Sequence, residues 1–519
     1  MRSILVKCAL PLRVPRFILL SASTLALVAC GGGQFPVVVD LAATQNPLVA
    51  QYSVKSPNAG QVFVEFGPGT TYGFQTATYA AAAGVTVPIL VAGMKPSTTY
   101  HMRAKLEVDG NIIWTDQDRV FKTAALGPAP IPPIAVTRNN PQTGQATENG
   151  GVELIAFFPP AGAPATLQTF VTDRDGNPIW YYSPPGRTPS FLKLMPNGHF
   201  LVAIAGSATQ PSLIREIDLA GKTIRELDSA ALAQSLHNAS YSFDFQFFHH
   251  DFAPLNNGHL VVLGQTTKDF IDLPGYPGTT TVQGDVLVDL DQNWNPVWAW
   301  NAFDYLDVNR HLMGLPDWTH SNAVVYNPAD GNLILSVRHQ SWILGIDYQD
   351  GSGDGHVLWR LGEAGDFLLP SSDPTQWFYA QHFPSIVNSS GSQVTMAVFD
   401  NGDLRITDDL GTTCGNPPAP ACYSRATLFQ LDQSTRQAQL LWDYAPGFYS
   451  FWGGTINQLP NGNVEFEMSE PFPIPMLGSR IMEVTQTSPP ELVWQMDLAG
   501  GFSYRSYRIP SLYPNISWP

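Results

Sequence analysis

Histidine is the residue type to follow in this chain. There are 11, none lies beyond position 382, and five fall in four short polar contexts. These are Phe248-His249-His250-Asp251, Asp317-Trp318-Thr319-His320-Ser321-Asn322, Ser336-Val337-Arg338-His339-Gln340 and Tyr379-Ala380-Gln381-His382. A neutral imidazole can act as a nucleophile, carry a proton near neutral pH, or ligate a divalent metal. Asp251 and Asp317 are placed to supplement such a metal set. Taken singly, a histidine of this kind is more often a satisfied turn or core residue. Steps of 70, 19 and 43 residues separate His250, His320, His339 and His382. Only a fold that gathers distant strands can make one site of them.

The surrounding sequence predicts such a fold. An apolar-Trp pair recurs as Ile179-Trp180, Val297-Trp298, Leu358-Trp359, Leu441-Trp442 and Val493-Trp494, at intervals of 118, 61, 83 and 52 residues. A turn before an apolar strand recurs out of phase with it, at Asn197-Gly198, Asn257-Gly258, Asp330-Gly331 and Asn461-Gly462. Asn-Gly and Asp-Gly supply the positive φ angles of tight hairpins. Residues 140–519 divide into about six units of roughly 60 residues, which predicts a six-bladed β-propeller over 140–519. A parallel β-helix would show a shorter period. In a propeller one polar residue from each of several blades converges on the central channel.

Residues 36–125 alternate in a strand-like way, as in Gln61-Val62-Phe63-Val64-Glu65-Phe66-Gly67. Met94-Lys95-Pro96-Ser97-Thr98-Thr99-Tyr100-His101-Met102-Arg103 resembles the tyrosine corner of fibronectin type III-like sandwiches, so a small β-sandwich is expected there. His101 reads as structural. Residues 126–139, with Gly127-Pro128-Ala129-Pro130-Ile131-Pro132-Pro133, read as a semi-rigid linker.

Charged residues are only 13% of the chain and Gly and Pro number 44 each, the composition of a turn-rich β protein. A net charge of −16 argues against a nucleic-acid partner. A small anionic substrate needs only a local positive pocket. Arg2, Lys7, Arg13 and Arg16 precede an apolar run from Phe17 to Val28, too short for a comfortable membrane span. With Leu27-Val28-Ala29-Cys30 and the Gly31-Gly32-Gly33 tether, residues 1–29 read as a lipoprotein signal peptide and Cys30 as the lipidated residue. Its removal moves the net charge to −20. Export to an oxidising compartment leaves Cys414 and Cys422 to form a disulfide; a zinc site needs more ligands than this pair offers.

Read in order, the four histidine motifs, Trp359-Arg360-Leu361-Gly362 and Phe399-Asp400-Asn401-Gly402 resemble the bacterial aryl-sulfate sulfotransferase family. Tyr423-Ser424-Arg425 followed by Leu431-Asp432 continues the pattern. The resemblance covers most of 140–519. It implies a six-bladed propeller behind a small β-sandwich, and transfer of a sulfuryl group between phenols through a sulfated histidine, with neither nucleotide nor cofactor. By position in the motifs, His382 takes the nucleophile's place and His250 and His339 those of supporting histidines. His320 lines the same pocket, with Asn322 and Arg338 as substrate-binding residues. Arg360 stands nearest the segment of the family's pocket arginine, with Arg338 and Arg425 as alternatives. The sequence departs from the family in two ways that mark a divergent member. The cysteine pair follows His382, and only 22 residues separate Arg360 from His382.

The chemistry asks for these residue types. A sulfate monoester presents negative oxygens that cationic donors stabilise, and an imidazole can hold the sulfuryl group as an N–S adduct. A phenol leaves or attacks more easily with a proton carrier beside it. Phe248, Trp318, Trp377, Phe378, Tyr379 and Trp452 are candidates for an aromatic slot. The expected partners are aryl sulfates, phenols and, through Cys30, the periplasmic side of the outer membrane, with a homo-oligomer left open. Two other classes fit the same histidines: a metal-dependent lyase or hydrolase, and a non-catalytic binding lipoprotein. Whether the histidines converge separates the last of these from an enzyme.

Overall fold

Alternation and turn chemistry build the chain from short antiparallel strands. At the predicted hairpins, Gly198 and Gly258 take φ of 84° and 85°, the left-handed region that a Cβ would disfavour. The computed structural model describes residues 37–519 apart from 128, 140–147, 161, 163–165, 372, 409, 416–420 and 472–477. The leader over 1–29 and Cys30 lie outside the described residues.

Four sheets are simple four-stranded meanders, each hydrogen-bonded in chain order. They run from Pro189–Leu194 to Thr223–Asp228, from Phe247–Pro254 to Pro296–Asn301, from Ser321–Asn327 to Val357–Leu361, and from His382–Ser390 to Gln437–Tyr444. Two more combine distant parts of the chain. The last strand, Phe502–Ile509, pairs with Val152–Phe158, and Ile134–Arg138 pairs with Leu492–Ala499. The stretch read as a linker therefore ends in an edge strand, because Ile134-Ala135-Val136-Thr137 resumes β-prone alternation after Pro133. The remaining two sheets lie within 38–122. There the Tyr100 hydroxyl accepts the Lys95 N–H at 3.0 Å. The C-terminus reaches the same region: the Tyr513 hydroxyl accepts the Ala92 N–H and donates to the Leu90 carbonyl, both at 2.8 Å.

The all-β class stands, but the six-bladed propeller does not. Among the described residues the structure is an arrangement of eight separate open sheets, none closed or curled into a barrel or propeller. The reason is physical. Asn-Gly turns and apolar-Trp strands report hairpins inside one sheet and carry no information on closure between sheets.

The recurring tryptophans do mark where sheets meet. The indole Nε1 of Trp180 donates to the Leu219 carbonyl at 2.7 Å, that of Trp298 to Gly353 at 2.8 Å, and that of Trp494 to Arg174 at 3.1 Å. Trp359 donates to Gln433 Oε1 at 2.9 Å. Each of these bonds crosses from one sheet to another. Cys414 and Cys422 are disulfide-bonded, with Cα atoms 5.6 Å apart.

One helix bears on the site. In α1 (Ser229–Asn238), the Asp228 side chain caps the amide of Ala231 at 2.8 Å. Leu232 and Leu236, one turn apart, are its buried face.

Candidate active site

Three sheets open with the same irregularity. Their first two strands lose register between Phe248 and Phe252, between Ser321 and Ala323, and between His382 and Ser385. At these breaks His250, His320 and Phe383 take φ of 56°, 48° and 43°. A left-handed non-glycine residue costs roughly 1–2 kcal/mol, and a bulge re-aims the side chains beside it. These breaks carry or adjoin His250, His320 and His382, whereas His339 lies in the short turn Arg338–Gln340.

The rings converge. His250 meets His320 edge to face with centroids 4.7 Å apart, and His320 stacks on His339 at 4.6 Å. Tyr504 bridges the remaining gap, 5.5 Å from His250 and 6.1 Å from His382. Its hydroxyl is buried without a partner among the described residues. Burial pushes the Tyr504 phenol well up, and the nearby Arg505 only partly offsets this.

Each imidazole has a distinct hydrogen-bond state. His382 is fully enclosed: Asn401 Oδ1 lies 2.7 Å from Nδ1, and the Gly453 N–H donates to Nε2 at 3.1 Å. Asn401 cannot turn over, because its Nδ2 donates to the Ser450 and Gly453 carbonyls at 2.8 and 3.1 Å. The neutral tautomer of His382 therefore carries its proton on Nδ1 and its lone pair on Nε2. Burial first, then the Arg338 charge, hold this histidine well below the ordinary range, so it is neutral at physiological pH. Gly453 sits at φ 64° with Ser469 Oγ where a Cβ would point, so only glycine brings this amide to the ring.

His339 is also neutral: its Nδ1 lies 2.7 Å from the Asp317 carbonyl and its Nε2 accepts from Arg338 Nη1 at 2.8 Å. Burial, His320 and Arg338 push it down in that order. His250 is held well down, mainly by burial and then by His320 and His249. His320 differs, since its Nδ1 is 2.5 Å from Asp317 Oδ2. Asp317 thus fixes the His320 ring through Nδ1 and leaves Nε2 turned away from the carboxylate.

The arginines separate cleanly. Arg338 is buried, and its Nη2 donates to Asp403 Oδ2 and to the Phe451 carbonyl, both at 2.8 Å. Its Nε has no partner among the described residues, which leaves a donor free inside the site. Burial pushes Asp403 up to about 7 against the pull of Arg338. Arg360, in contrast, lies on the last strand of its sheet, half-exposed, over the Trp342 ring and 3.4 Å from Asp366. Among the described residues it touches none of the four histidines. Arg425 is spent on Asp400, Asp443 and the Thr375 and Trp377 carbonyls. It anchors the segment leading to His382.

Asn322 ties the cluster together, with its Nδ2 on the Gln381 carbonyl at 2.7 Å and its own carbonyl accepting from Arg505 Nη2 at 2.8 Å. Four residues that the sequence reading left without a role are structurally central: Asn401, Gly453, Tyr504 and Arg505. The Gly453-Gly454 doublet after Trp452 was a readable sign of close backbone approach. Tyr504 and Arg505 gave none, since they lie over 120 residues beyond the last histidine.

Of the candidate aromatics, Phe248 and Trp452 line a cavity of about 1400 Å³ whose inner end is His249, His250 and Tyr504. Trp318 instead stacks on Phe303, and Trp377 and Phe378 pack on Phe429. Tyr379 is buried among Phe378 and Trp377 in that same core.

Ligand atoms of Asp317, His320 and His339 lie within 4.8 Å of one another, the spacing of a metal set. Both His339 nitrogens are already engaged, however, and one faces the Arg338 guanidinium. A cation there would meet a fixed positive charge, so the set does not suit a divalent metal.

The family model described as Arylsulfotransferase (ASST) matches residues 151–505, from the second strand of this region to Arg505 itself. The chain belongs to the arylsulfotransferase family. The arylsulfate sulfotransferase AssT of Escherichia coli O6:H1 (strain CFT073) is 27% identical over 150 residues, covering 25% of this chain and 23% of that protein. The match thus spans under a quarter of that relative's length. Among solved structures, a Synechocystis apocarotenoid oxygenase mutant aligns at 12% identity over 88% of this chain and 96% of its own, with a TM-score of 0.33. The extracellular domains of Drosophila semaphorin 1b align at 10% identity over 56% and 51%, with a TM-score of 0.27.

Proposed function

We propose that this arylsulfotransferase-family protein moves a sulfuryl group from an aryl sulfate ester to a phenolic acceptor through a covalent sulfohistidine at His382. No nucleotide takes part. The observation that carries the reading is the state of His382: buried, neutral, with its Nδ1 proton fixed by Asn401 and its Nε2 lone pair directed at one backbone N–H.

In the first half-reaction Nε2 attacks sulfur, the N–S bond forms and the S–O bond to the aryl group breaks. The departing phenolate takes a proton from His320, whose charge Asp317 balances. Sulfurylation makes the His382 ring cationic, and its Nδ1–H then donates more strongly to Asn401 Oδ1. The Gly453 N–H, released from the lone pair, and the Arg338 Nε–H are donors for the sulfuryl oxygens. In the second half-reaction the acceptor phenol returns its proton to His320, its oxygen attacks sulfur, and the N–S bond breaks. Arg338 replaces Arg360 as the cationic group of the site in this scheme. The basic and apolar leader ending in Leu27-Val28-Ala29-Cys30 supports a lipid-anchored enzyme on the periplasmic side of the outer membrane.

The test is transfer from a chromogenic aryl sulfate to a phenol with no nucleotide added. The proposal predicts sulfated acceptor, abolished in His382→Ala. Absence of transfer across a broad donor panel, or full transfer in that variant, overturns it.

A further inference from the structure

The cavity in front of His250 is much larger than the reaction requires. At about 1400 Å³ it exceeds the ~300–1,000 Å³ of ordinary small-molecule sites. A single phenol ring would leave most of it filled with water. Its inner walls are aromatic, from Phe158, Phe191, Phe248, Trp452, Phe502 and Tyr504. Its outer wall is α1, which contributes Ala233, Gln234 and His237. Among the described residues no Lys or Arg lines it, and Asp244 is its one carboxylate.

We infer that this cavity binds the aromatic body of an extended, uncharged aryl compound of two or more fused or linked rings, with α1 setting the length admitted. The inference rests on the sulfuryl-transfer reading and specifies its substrate class. Aromatic faces at several depths suit stacked or edge-on rings. The cavity reaches His250 and Tyr504, and the Tyr504 ring lies 6.1 Å from that of His382, so the reacting oxygen is assigned to this end. A second anionic group at the outer end would face Asp244 with no cation to answer it. The outer wall tolerates variation, because Gln234 is exposed and Ala233 only partly buried.

The experiment measures binding apart from chemistry, by fluorescence titration of the full chain with 2-naphthol, with phenol as competitor and no sulfate donor. The expected result is 2-naphthol bound at least about tenfold tighter than phenol, and 6-hydroxynaphthalene-2-sulfonate bound more weakly than 2-naphthol. Ala233→Trp and Gln234→Trp should each weaken 2-naphthol by about tenfold while leaving phenol within about twofold. Ala231→Trp, on the same helix but outside the cavity lining, should change neither. Equal affinity for the two phenols, or 2-naphthol binding unaffected by both tryptophans, overturns the inference. Transfer to simple phenols is assayed in parallel. Binding retained without transfer counts against the sulfuryl-transfer reading, and transfer retained without size selection counts against this one.

Discussion

Asn401 holds His382 by one ring nitrogen, with Oδ1 2.7 Å from Nδ1, while two backbone carbonyls fix the amide itself. The pair does for this site what a carboxylate does for the histidine of a hydrolytic triad, with one difference. A neutral amide fixes the tautomer while favouring an imidazolium far less than a carboxylate would, and burial keeps the resting ring neutral. A nucleophilic histidine needs that, because protonation would remove its lone pair.

Asn401→Ala should therefore lower kcat by about 10- to 100-fold with little change in KM, the cost of a lost buried hydrogen bond of ~1–3 kcal/mol. Asn401→Asp should keep the tautomer but favour the imidazolium, moving the acid limb of the pH–rate profile upward. Steady-state kinetics over pH 5–8 read both effects. An Asn401→Asp profile that coincides with the parent would contradict the assigned role.

The two arginines give a second contrast. Arg338→Lys keeps a charge but loses the fork that joins His339, Asp403 and the Phe451 carbonyl. Its kcat/KM should fall by at least about 100-fold, roughly 2.7 kcal/mol of transition-state binding. Arg360→Ala, which loses only a half-exposed pair with Asp366, should stay within about twofold. The reverse order would restore Arg360 to the site.

The buried histidines make the fold sensitive to acid. His250, His339 and His382 are all held below the ~6.5 of an unfolded histidine. As pH falls below ~6.5 the unfolded chain takes up protons that the folded one refuses, so stability present above that pH is lost. Asp403, raised to about 7, works the other way and gains stability as pH falls from there. Buried Glu465 and Glu467 are likewise raised and act in the same direction as Asp403. The histidine contribution is therefore read by difference: lowering the pH from 6.5 to 5 should cost the parent more of its urea midpoint than it costs His339→Gln.

The tryptophan repeat predicts a stability contrast. Trp359→Phe removes an indole bond between two sheets and should cost about 1 kcal/mol beyond the packing change. The Trp442 indole N–H has no partner among the described residues, so Trp442→Phe should cost less. Denaturant midpoints of the two variants test the order.

What could be read in the sequence was what is local. The turns at Asn197-Gly198 and Asn257-Gly258, and the four polar histidine contexts, each need only a few neighbouring residues. The pocket arginine was legible only as a choice among Arg338, Arg360 and Arg425. Arg360 follows a repeat tryptophan and matches a family segment, yet the fold puts it on an outer strand, whereas Arg338 follows an inner strand and contacts His339. Gly453 reaches His382 across 71 residues, and Arg505 meets Asn322 across 183. No periodicity carries such pairings. The disposition of the sheets was equally hidden, since hairpin signals repeat identically in sheets that close and in sheets that do not.

The covalent histidine is the central claim, and one measurement reaches it directly. Protein is mixed rapidly with excess chromogenic aryl sulfate in the absence of acceptor, then quenched, digested and analysed by mass spectrometry at neutral pH. The account predicts a burst of phenol equal to the enzyme present and a sulfuryl group on the peptide carrying His382, both lost in His382→Ala. A burst with the adduct on another residue, or steady phenol release with no adduct, would contradict it.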